Sequence, residues 1–321
     1  MLAVYASEPR PDDPLEALHV GERTEPEVPA GWVAVRPAAA GLNMHDVWTL
    51  RGVGLSAERY PMILGTDAAG VLDNGDEVVV YPVIGDPHWS GDETLDPHRT
   101  LLTEKHQGAL AQTVVVPARN VIHKPASLSM SHAAVMGTAW LTAYRMLFTK
   151  SGLRPGQRML VQGASGGVST ALIQLGHAAG FTVWVTGRSP EKLALAERLG
   201  AHGVFASGER LPAKVDVAFD SVGQATWAHS MRALRPGGAI ICCGSTSGSA
   251  PSADLQRLFF LQLRVEGSTM GTRQELVDLL AFVDQAGIVP EVGMEVPIAD
   301  AREGFKEMLA SKTAGKIVLT M

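Results

Sequence analysis

The feature that most constrains the fold is a regular alternation of strand-like and helix-like segments in the middle of the chain. RMLVQG (158–163) and FTVWVTG (181–187) are short apolar runs typical of buried strands, and an amphipathic stretch from Val168 to Ala179 separates them. Further strand-like runs, VDVAFDSVG and AIICCGS, continue the pattern. Strands separated by helices of about 10–15 residues predict a parallel sheet with helices on both faces.

Local signals also mark the helix ends in this region. Gly180 follows the first helical stretch, and Ser189-Pro190 predicts the start of a second helix that runs through Leu199, with Gly200 at its end. Serine at the cap, proline at the first helical position and glycine after the last turn are the usual preferences of helix ends.

The chain has a different character before residue 126 and near its end. The runs MLAVYAS, GWVAVRPAA, GDEVVVYPV and ALAQTVVVPA alternate with turn residues and predict a small β-rich domain. Residues 84–107 are polar and weakly periodic, so we expect a surface loop or lobe. Arg273 to Gln285 and Ala299 to Ala310 are predicted helices, and the final GKIVLTM is a predicted strand.

The predicted fold class is therefore α/β, with a β-rich domain joined to a doubly wound parallel sheet. We place the β-rich catalytic domain at residues 1–126 and expect residues 269–321 to fold back and complete it. The cofactor-binding domain is predicted at residues 127–268.

Composition excludes several classes of partner. The net charge is −6, and 46% of the 321 residues are hydrophobic and 19% charged, so neither nucleic acid nor an anionic membrane is an expected partner. No apolar stretch reaches the roughly 20 residues of a membrane span. Acidic residues and prolines come too early for a signal peptide, and the two cysteines, Cys242 and Cys243, are adjacent, which excludes a disulfide framework. We expect a cytoplasmic enzyme with a small-molecule substrate.

The segment ASGGVS (164–169) lies between a predicted strand and a predicted helix, where dinucleotide-binding loops occur. Gly166 would let backbone N–H groups approach a pyrophosphate, and the helix N-terminus would add partial positive charge. Ala164 and Ser169 stand where glycine is usual, and both are small. We interpret the segment as a phosphate-binding loop rather than a purely structural turn, with these cofactor-binding residues: Ser165, Gly166, Gly167 and Val168.

The end of the second strand indicates which dinucleotide is bound. An NAD site has an acidic residue roughly 20 positions after the loop. Here the sequence is TGRSPEK, with Arg188 available to pair with a 2′-phosphate and Ser189 and Lys192 to assist it. We expect no carboxylate at this place, so NADP(H) is the predicted cofactor. The alternative is that Arg188 is only a solvated turn residue.

Six segments resemble the medium-chain dehydrogenase/reductase superfamily along nearly the whole chain. They are AAAGLNMHDVWTLRG (38–52), PMILGTDAAGV (61–71), GDEVVVYP (75–82), the GASGGV loop, FDSVG (219–223) and GKIVL (315–319). The resemblance implies a GroES-like β domain, a Rossmann domain, a C-terminal return to the first domain and a homodimer. It also implies further cofactor-binding residues: Thr138, Ser221, Val222, Gly244, Ser245, Met270 and Lys316.

Zinc-containing members of the superfamily hold a metal with three ligands. The matching positions in this chain are Asn43, Thr66 and Thr138, none of which is a first-choice zinc ligand. The four-cysteine structural lobe is also absent, and the histidines of residues 84–107 have no recognised metal spacing. The chain therefore resembles the zinc-lacking, quinone-oxidoreductase-like branch, and we expect no metal site.

The loss of zinc changes the chemistry that the residues can support. Zinc stabilises a developing alkoxide by several kcal/mol, whereas one well-placed hydrogen-bond donor contributes roughly 3–4 kcal/mol. A quinone or a conjugated enone spreads the incoming charge and is easier to reduce without metal. The predicted catalytic residues are Asn43 as a hydrogen-bond donor, His45 as a proton donor, and Asp46, which by resemblance supports the site.

The prediction for His45 depends on local conformation. His45 shares a face with Asn43 if this segment is extended, and the two diverge if it forms a helical turn. In a helical turn, water or a ribose hydroxyl would have to protonate the product.

The sequence leaves four functions open. The first is NADPH-dependent reduction of a quinone or an α,β-unsaturated carbonyl, and a related one is reduction of an enoyl thioester. The third is an alcohol dehydrogenase or ketoreductase on the same scaffold, and the fourth is a protein that binds NADPH without turnover.

Overall fold

The computed structural model describes all 321 residues and divides the chain into two compact units. The first unit comprises Met1–Ala139 and Gly271–Met321, and the second comprises Trp140–Met270. The first unit thus extends past residue 126, where the composition of the chain changes.

The N-terminal part of the first unit consists mainly of short strands. They are β1 (Leu2–Ala6), β2 (Leu18–Glu22), β3 (Trp32–Gly41), β4 (Met62–Ile63), β5 (Ala69–Val71), β6 (Glu77–Val80), β7 (Val83–Ile84), β8 (Thr100–Leu101), β9 (Val114–Pro117) and β10 (Val121–His123). The two helices are α1 (Met44–Leu50) and α2 (Met130–Ala133), and a π-helical turn follows at Met136–Trp140. Because α2 packs against β3 and β5, it belongs to the first unit.

The second unit alternates strands and helices as predicted. Its elements are α3 (Leu141–Tyr144), a π-helical turn (Arg145–Lys150), β11 (Arg158–Gln162), α4 (Gly167–Ala178), β12 (Thr182–Gly187), α5 (Pro190–Arg198), β13 (Gly203–Ala206), β14 (Val215–Asp220), α6 (Gln224–Ala233), β15 (Leu234–Cys242), α7 (Leu255–Phe260) and β16 (Arg264–Gly267). The Ser189 hydroxyl caps α5 by accepting the N–H of Lys192, which confirms the predicted helix start.

All strand pairs of the second unit are parallel. The order is β13-β12-β11-β14-β15-β16, so the direction of strand succession reverses between β11 and β14. In doubly wound sheets of this order, ligands bind outside the carboxyl ends of the strands at the point of reversal. The predicted doubly wound parallel sheet is confirmed.

The C-terminal part adds α8 (Arg273–Ala286), β17 (Val292–Pro297), α9 (Ala301–Leu309) and β18 (Lys316–Thr320). Strand β18 pairs antiparallel with β3 and parallel with β17. The resulting sheet has the order β10-β6-β5-β3-β18-β17, with β9 also paired to β3, and two smaller sheets, β2-β1-β4 and β7-β8, accompany it. The core of this unit includes Leu50, Leu319 and Phe305, all fully buried.

Residues 84–107 form the expected surface lobe, in which most residues are exposed or partly exposed. The lobe also has local structure, since its strand β8 pairs with β7 and Thr94, Asp96 and Leu102 are buried. The Asp96 carboxylate accepts the N–H groups of Asp86 and His98, both at 2.7 Å. Part of the polar composition reflects carboxylates that satisfy local backbone donors, and the rest is exposed to solvent. No helix of the structure has the length and apolar character needed to cross a membrane.

Candidate active site and cofactor loop

Asp46 anchors the start of α1 in the first unit. The residue is fully buried, and its carboxylate accepts the N–H of Asn43 and the N–H of Gly65, each at 2.8 Å. Burial raises the pKa of Asp46, and the two backbone donors partly offset that rise. Since both oxygens are bonded to backbone, Asp46 fixes the helix start against the segment after β4, which is a supporting role.

The side chain of Asn43 is held by polar partners on all sides. Its amide nitrogen Nδ2 donates to Asp67 Oδ2 at 2.8 Å and to Thr66 Oγ1 at 3.1 Å, with a longer contact of 3.4 Å to the carbonyl oxygen of Gly41. Its oxygen Oδ1 accepts from Lys316 Nζ at 2.6 Å. Both amide protons are therefore used inside the protein, and in this arrangement Asn43 has none left for a substrate, in contrast to the predicted donor role.

Lys316 is a buried cation at the start of β18. Its ammonium donates to three acceptors, the carbonyl oxygen of Leu42 and Asn43 Oδ1, both at 2.6 Å, and Asp67 Oδ2 at 3.2 Å. An ammonium has three protons, so all of them are taken up within the first unit. Lys316 was predicted to bind the cofactor, and its place beside Asn43 was not predicted, because the two residues are 273 positions apart in sequence.

Two threonines continue from Asn43 towards the surface. Thr66 is fully buried, and its hydroxyl lies 3.1 Å from Asn43 Nδ2 and 3.0 Å from Thr138 Oγ1. Thr138 is partly exposed and lies in the π-helical turn Met136–Trp140, an element that often marks functional sites. We call the connected side chains of Lys316, Asn43, Thr66 and Thr138 the polar chain.

The three positions that match zinc ligands thus come together, but their chemistry does not fit zinc. They offer one amide and two hydroxyls, whereas zinc in proteins is bound by thiolate, imidazole and carboxylate. The Asn43 amide oxygen already faces the ammonium of Lys316, which would repel a divalent cation. No group of three or more His, Cys, Asp or Glu side chains is placed to hold a metal ion anywhere in the 321 residues.

His45 is the second residue of α1, so of the two conformations considered for this segment the structure has the helical one. The segment is helical because Asp46 closes its first turn onto the backbone of Asn43. The imidazole nitrogen Nε2 of His45 is buried and has no hydrogen-bond partner. The role of His45 as a proton donor stays a prediction.

In the second unit, the predicted phosphate-binding loop joins β11 to α4. Gly163 adopts φ +89°, a conformation that favours glycine, and Gly166 is the N-cap of α4 with no side chain capping the first-turn N–H groups. A Cβ placed on Gly166 would meet no protein atom closer than 4.0 Å, and the residue is exposed. The open space and uncapped donors fit a bound pyrophosphate. Ser165, Gly167 and Val168 are partly exposed beside it.

The segment after β12 contains an acidic group that the sequence analysis did not expect. Arg188 is exposed, and Ser189 both caps α5 and donates its hydroxyl proton to the carboxylate of Glu191. That hydrogen bond holds the pKa of Glu191 below its ordinary value. The negative charge of Glu191 therefore lies next to the residues predicted to bind a 2′-phosphate. The prediction had considered only the basic side chains of this segment.

The loops after β14 and β15 lie against each other. The Asp220 carboxylate accepts the N–H groups of Val222 and Gly223, each at 2.9 Å. A Cβ on Gly244 would lie 2.9 Å from the carbonyl oxygen of Ser221, and a Cβ on Gly223 would lie 2.9 Å from Ser245 Cα. The structure thus brings together Ser221, Val222, Gly244 and Ser245, whereas Met270 lies at the end of the unit with φ +53°.

A buried network that the sequence analysis missed connects the carboxyl ends of the central strands. Thr186 donates to Gln162 Oε1 at 2.5 Å, and Gln162 Nε2 donates to Ser230 Oγ at 3.0 Å. Ser230 in turn donates to Asp220 Oδ2 at 2.8 Å. We call these four side chains the strand-end network. The sequence signal for this network was a polar residue at the end of an apolar strand, as in RMLVQ and VDVAFD.

Comparisons with known proteins agree with this architecture. The family model described as alcohol dehydrogenase GroES-like domain matches residues 29–126, and the model described as zinc-binding dehydrogenase matches residues 167–285. Crotonyl-CoA reductase of Streptomyces collinus is 25% identical, with 97% of this chain and 83% of that protein covered. Quinone oxidoreductase of Pseudomonas aeruginosa is 28% identical, with coverages of 89% and 90%.

Solved structures have the same architecture. A structure described as an NAD-dependent alcohol dehydrogenase is 32% identical and superposes with a TM-score of 0.93 over 100% of both chains. The crotonyl-CoA carboxylase/reductase AntE in complex with NADP is 25% identical, with a TM-score of 0.89 over 99% of this chain and 94% of that chain. With its two domain types and this whole-length similarity, the chain belongs to the medium-chain dehydrogenase/reductase superfamily of oxidoreductases.

Proposed function

We propose that this protein is an NADPH-dependent reductase of α,β-unsaturated carbonyl compounds or quinones that works without zinc. The observation that carries the proposal is the polar chain, in which the buried ammonium of Lys316 lies 2.6 Å from the oxygen of Asn43. The relatives named crotonyl-CoA reductase and quinone oxidoreductase support acceptors of this kind.

The second unit supplies cofactor binding in this proposal. The uncapped N–H groups of α4 and the open space at Gly166 receive the pyrophosphate, and Arg188 pairs with the 2′-phosphate. The NADP complex of a structure with the same fold supports the choice of NADP(H). When bound, the nicotinamide supplies the hydride.

The first unit supplies the environment in which the substrate oxygen becomes negative. In a conjugated acceptor the incoming charge spreads to the carbonyl oxygen, where a hydrogen-bond donor worth roughly 3–4 kcal/mol can stabilise it. An isolated ketone concentrates the charge on one oxygen and depends more on a Lewis acid. A neutral, hydroxyl-lined site therefore favours conjugated acceptors.

A second candidate function is that of an alcohol dehydrogenase or ketoreductase. It is favoured by the 32% identity to a structure described as an NAD-dependent alcohol dehydrogenase. A single assay series separates the two functions. The purified protein is given NADPH or NADH together with cyclohexenone, crotonyl-CoA, benzoquinone or cyclohexanone, and its zinc content is measured by elemental analysis.

We expect turnover of at least one conjugated acceptor with NADPH, much less turnover of cyclohexanone, and zinc far below one atom per chain. Preferential ketone reduction coupled to stoichiometric zinc would establish the alcohol dehydrogenase instead.

We further propose a homodimer that forms through β16. This strand is at the edge of its sheet, and Val265 on it is 49% exposed. Phe259 and Phe260 on the preceding helix are 69% and 77% exposed. Open strand edges flanked by large apolar side chains are covered in stable proteins, and pairing with the same strand of a second copy covers both edges at once.

Light scattering tests the dimer directly. The expected mass is twice the chain mass of 34.0 kDa, and Val265→Lys combined with Phe260→Lys should yield a monomer. A monomeric wild-type protein, or a double variant that stays dimeric, would contradict this interface.

A further inference from the structure

The polar chain has a fixed direction, which follows from the donors and acceptors that its members can provide. An ammonium only donates, so the Asn43 atom at 2.6 Å from Lys316 Nζ must be the amide oxygen. The amide nitrogen of Asn43 then faces Asp67 and Thr66 and donates one proton to each. Lys316 thereby decides the orientation of the amide.

The direction continues through the two threonines. Thr66 accepts from Asn43 Nδ2, so its own proton needs another acceptor, and it is fully buried. The remaining hydrogen-bond partner of Thr66 is Thr138 Oγ1 at 3.0 Å. Buried hydroxyls rarely leave their proton without an acceptor, so Thr66 donates to Thr138.

The hydroxyl proton of Thr138 then has no acceptor within the protein. Its oxygen accepts from Thr66, no other hydrogen bond of its hydroxyl is formed within the protein, and the residue is partly exposed. Each bond of the chain points away from the ammonium, and aligned hydrogen bonds polarise one another. The exposed end is therefore a hydroxyl with a proton to donate, and Lys316 sets that orientation through Asn43 and Thr66.

We propose that Thr138 is a catalytic residue whose hydroxyl donates a hydrogen bond to the carbonyl oxygen of the substrate, and that Lys316 acts through it as a positioning residue. This inference rests on the proposed function. Thr138 replaces Asn43, whose amide protons are engaged, as the donor predicted from the sequence, and it takes this role on the substrate instead of the cofactor-binding role that the resemblance implies.

The proton and electron balance of the step is simple. The bound cofactor would supply a hydride that forms a C–H bond at the β-carbon, and the C=C electron pair would shift towards the carbonyl to give an enolate. The Thr138 hydroxyl stabilises the enolate oxygen by a hydrogen bond and keeps its proton, because an aliphatic hydroxyl is a weak acid. Solvent water then protonates the α-carbon, which completes the saturated carbonyl product.

The experiment measures kcat for cyclohexenone and the Kd for NADPH in variants of the full chain. Thr138→Val should lower kcat about a hundredfold to a thousandfold and leave the NADPH Kd within about twofold, whereas Thr138→Ser, which keeps the hydroxyl, should stay within about fivefold of wild type. Thr142→Val, which removes a hydroxyl outside the polar chain, is the matched control. Thr138→Ala is the second variant if Thr138→Val does not fold.

A double-mutant cycle tests whether Lys316 acts through Thr138. Lys316→Met should lower kcat strongly in the wild-type background and have little further effect on kcat in the Thr138→Val background. Effects that multiply independently would show a merely structural role for Lys316.

The outcomes also separate this inference from the proposed function. If the wild type reduces cyclohexenone and Thr138→Val does so at the same rate, the role of Thr138 is overturned while the proposed function stands. If the wild type reduces none of the conjugated acceptors, the proposed function fails, and this inference fails with it.

Discussion

The two units each bury a set of hydrogen-bonded polar side chains, and the sets differ in how completely their groups are satisfied. In the strand-end network, Asp220 accepts two backbone N–H groups and the hydroxyls of Thr226 and Ser230. No buried polar atom of its four side chains lacks a partner. In the first unit, Asp67 Oδ1 is buried without a partner, and the polar chain ends at a partly exposed hydroxyl.

This difference distinguishes buried polar side chains that stabilise the fold from those that take part in chemistry. A closed network holds backbone ends in place and contributes to stability, since every donor meets an acceptor. A buried unpaired oxygen carries an energetic cost, and a partly exposed hydroxyl has a proton to donate to a bound molecule. We therefore expect variants of the first set to alter chemistry, accompanied by a loss of stability at the ion-paired Lys316, and variants of the second set to alter stability alone.

The largest effect is expected for Lys316, because it is buried against Asp67. Lys316→Met should lower the free energy of unfolding by about 3–5 kcal/mol, since it leaves a buried carboxylate without its counter-ion. Urea denaturation followed by circular dichroism measures the change. Lys306→Met is the matched control, because Lys306 pairs with Glu303 at the surface and should cost no more than about 1 kcal/mol.

Adding Asp67→Asn to Lys316→Met should recover part of the lost stability, since a buried neutral amide is less costly than a buried carboxylate. A double variant less stable than Lys316→Met would argue against the ion pair as the source of the effect.

Arg188 tests whether the second unit selects the cofactor. Arg188→Ala should weaken NADPH binding about tenfold to a hundredfold, corresponding to a charge-assisted hydrogen bond of about 1.5–3 kcal/mol. Binding of NADH should change little, because it has no 2′-phosphate. Fluorescence titration with both cofactors measures the two Kd values, and an equal loss for both would remove Arg188 from the phosphate site.

Thr186 tests the structural role of the strand-end network. Thr186→Val removes the donor to Gln162 Oε1 and should lower the free energy of unfolding by about 1–3 kcal/mol, with kcat nearly unchanged in the folded protein. Thr182→Val, four residues earlier on the same strand, should change stability by no more than about 0.5 kcal/mol. A loss of kcat without a loss of stability in Thr186→Val would contradict the purely structural role of the strand-end network.

The smallest effect is expected for Glu191. Its carboxylate accepts from Ser189 and would repel a 2′-phosphate bound beside Arg188. Glu191→Gln should therefore tighten NADPH binding about two- to fivefold, the scale of exposed charge pairs, and the gain should shrink at high ionic strength. Tighter binding of NADH by the same factor would show that the effect does not arise from the phosphate.

Elements whose signals are local were well predicted from the sequence. The helix from Ser189-Pro190 ends within one residue of the predicted position, at Arg198. Helix α8 runs from the predicted Arg273 to Ala286, and its Thr272 and Glu275 form a capping box. Helix caps, glycines and apolar periodicity involve residues that are close in sequence, so these signals act independently of the tertiary fold.

The candidate site was predicted only in part. The sequence placed Asn43, Thr66 and Thr138 at one site by resemblance, and the phosphate-binding loop by its position between a strand and a helix. It did not show that α1 turns His45 away from an extended alignment, that Glu191 bonds Ser189, or that Lys316 belongs with Asn43. Each of these depends on side-chain geometry that several conformations of the same residues could have satisfied.

The sequence by itself determined the two domain types, the doubly wound sheet, the helix ends and the kinds of side chain available for chemistry. Only the tertiary structure decided the pairing of Lys316 with Asp67 and Asn43, because β18 must first lie beside β3 to bring those residues together. A buried lysine needs an acceptor, but that requirement does not name a partner. The partner is set by the register of β18 on β3, in which Val318 pairs with Gly41, 277 positions earlier in the sequence, and no local pattern encodes that register.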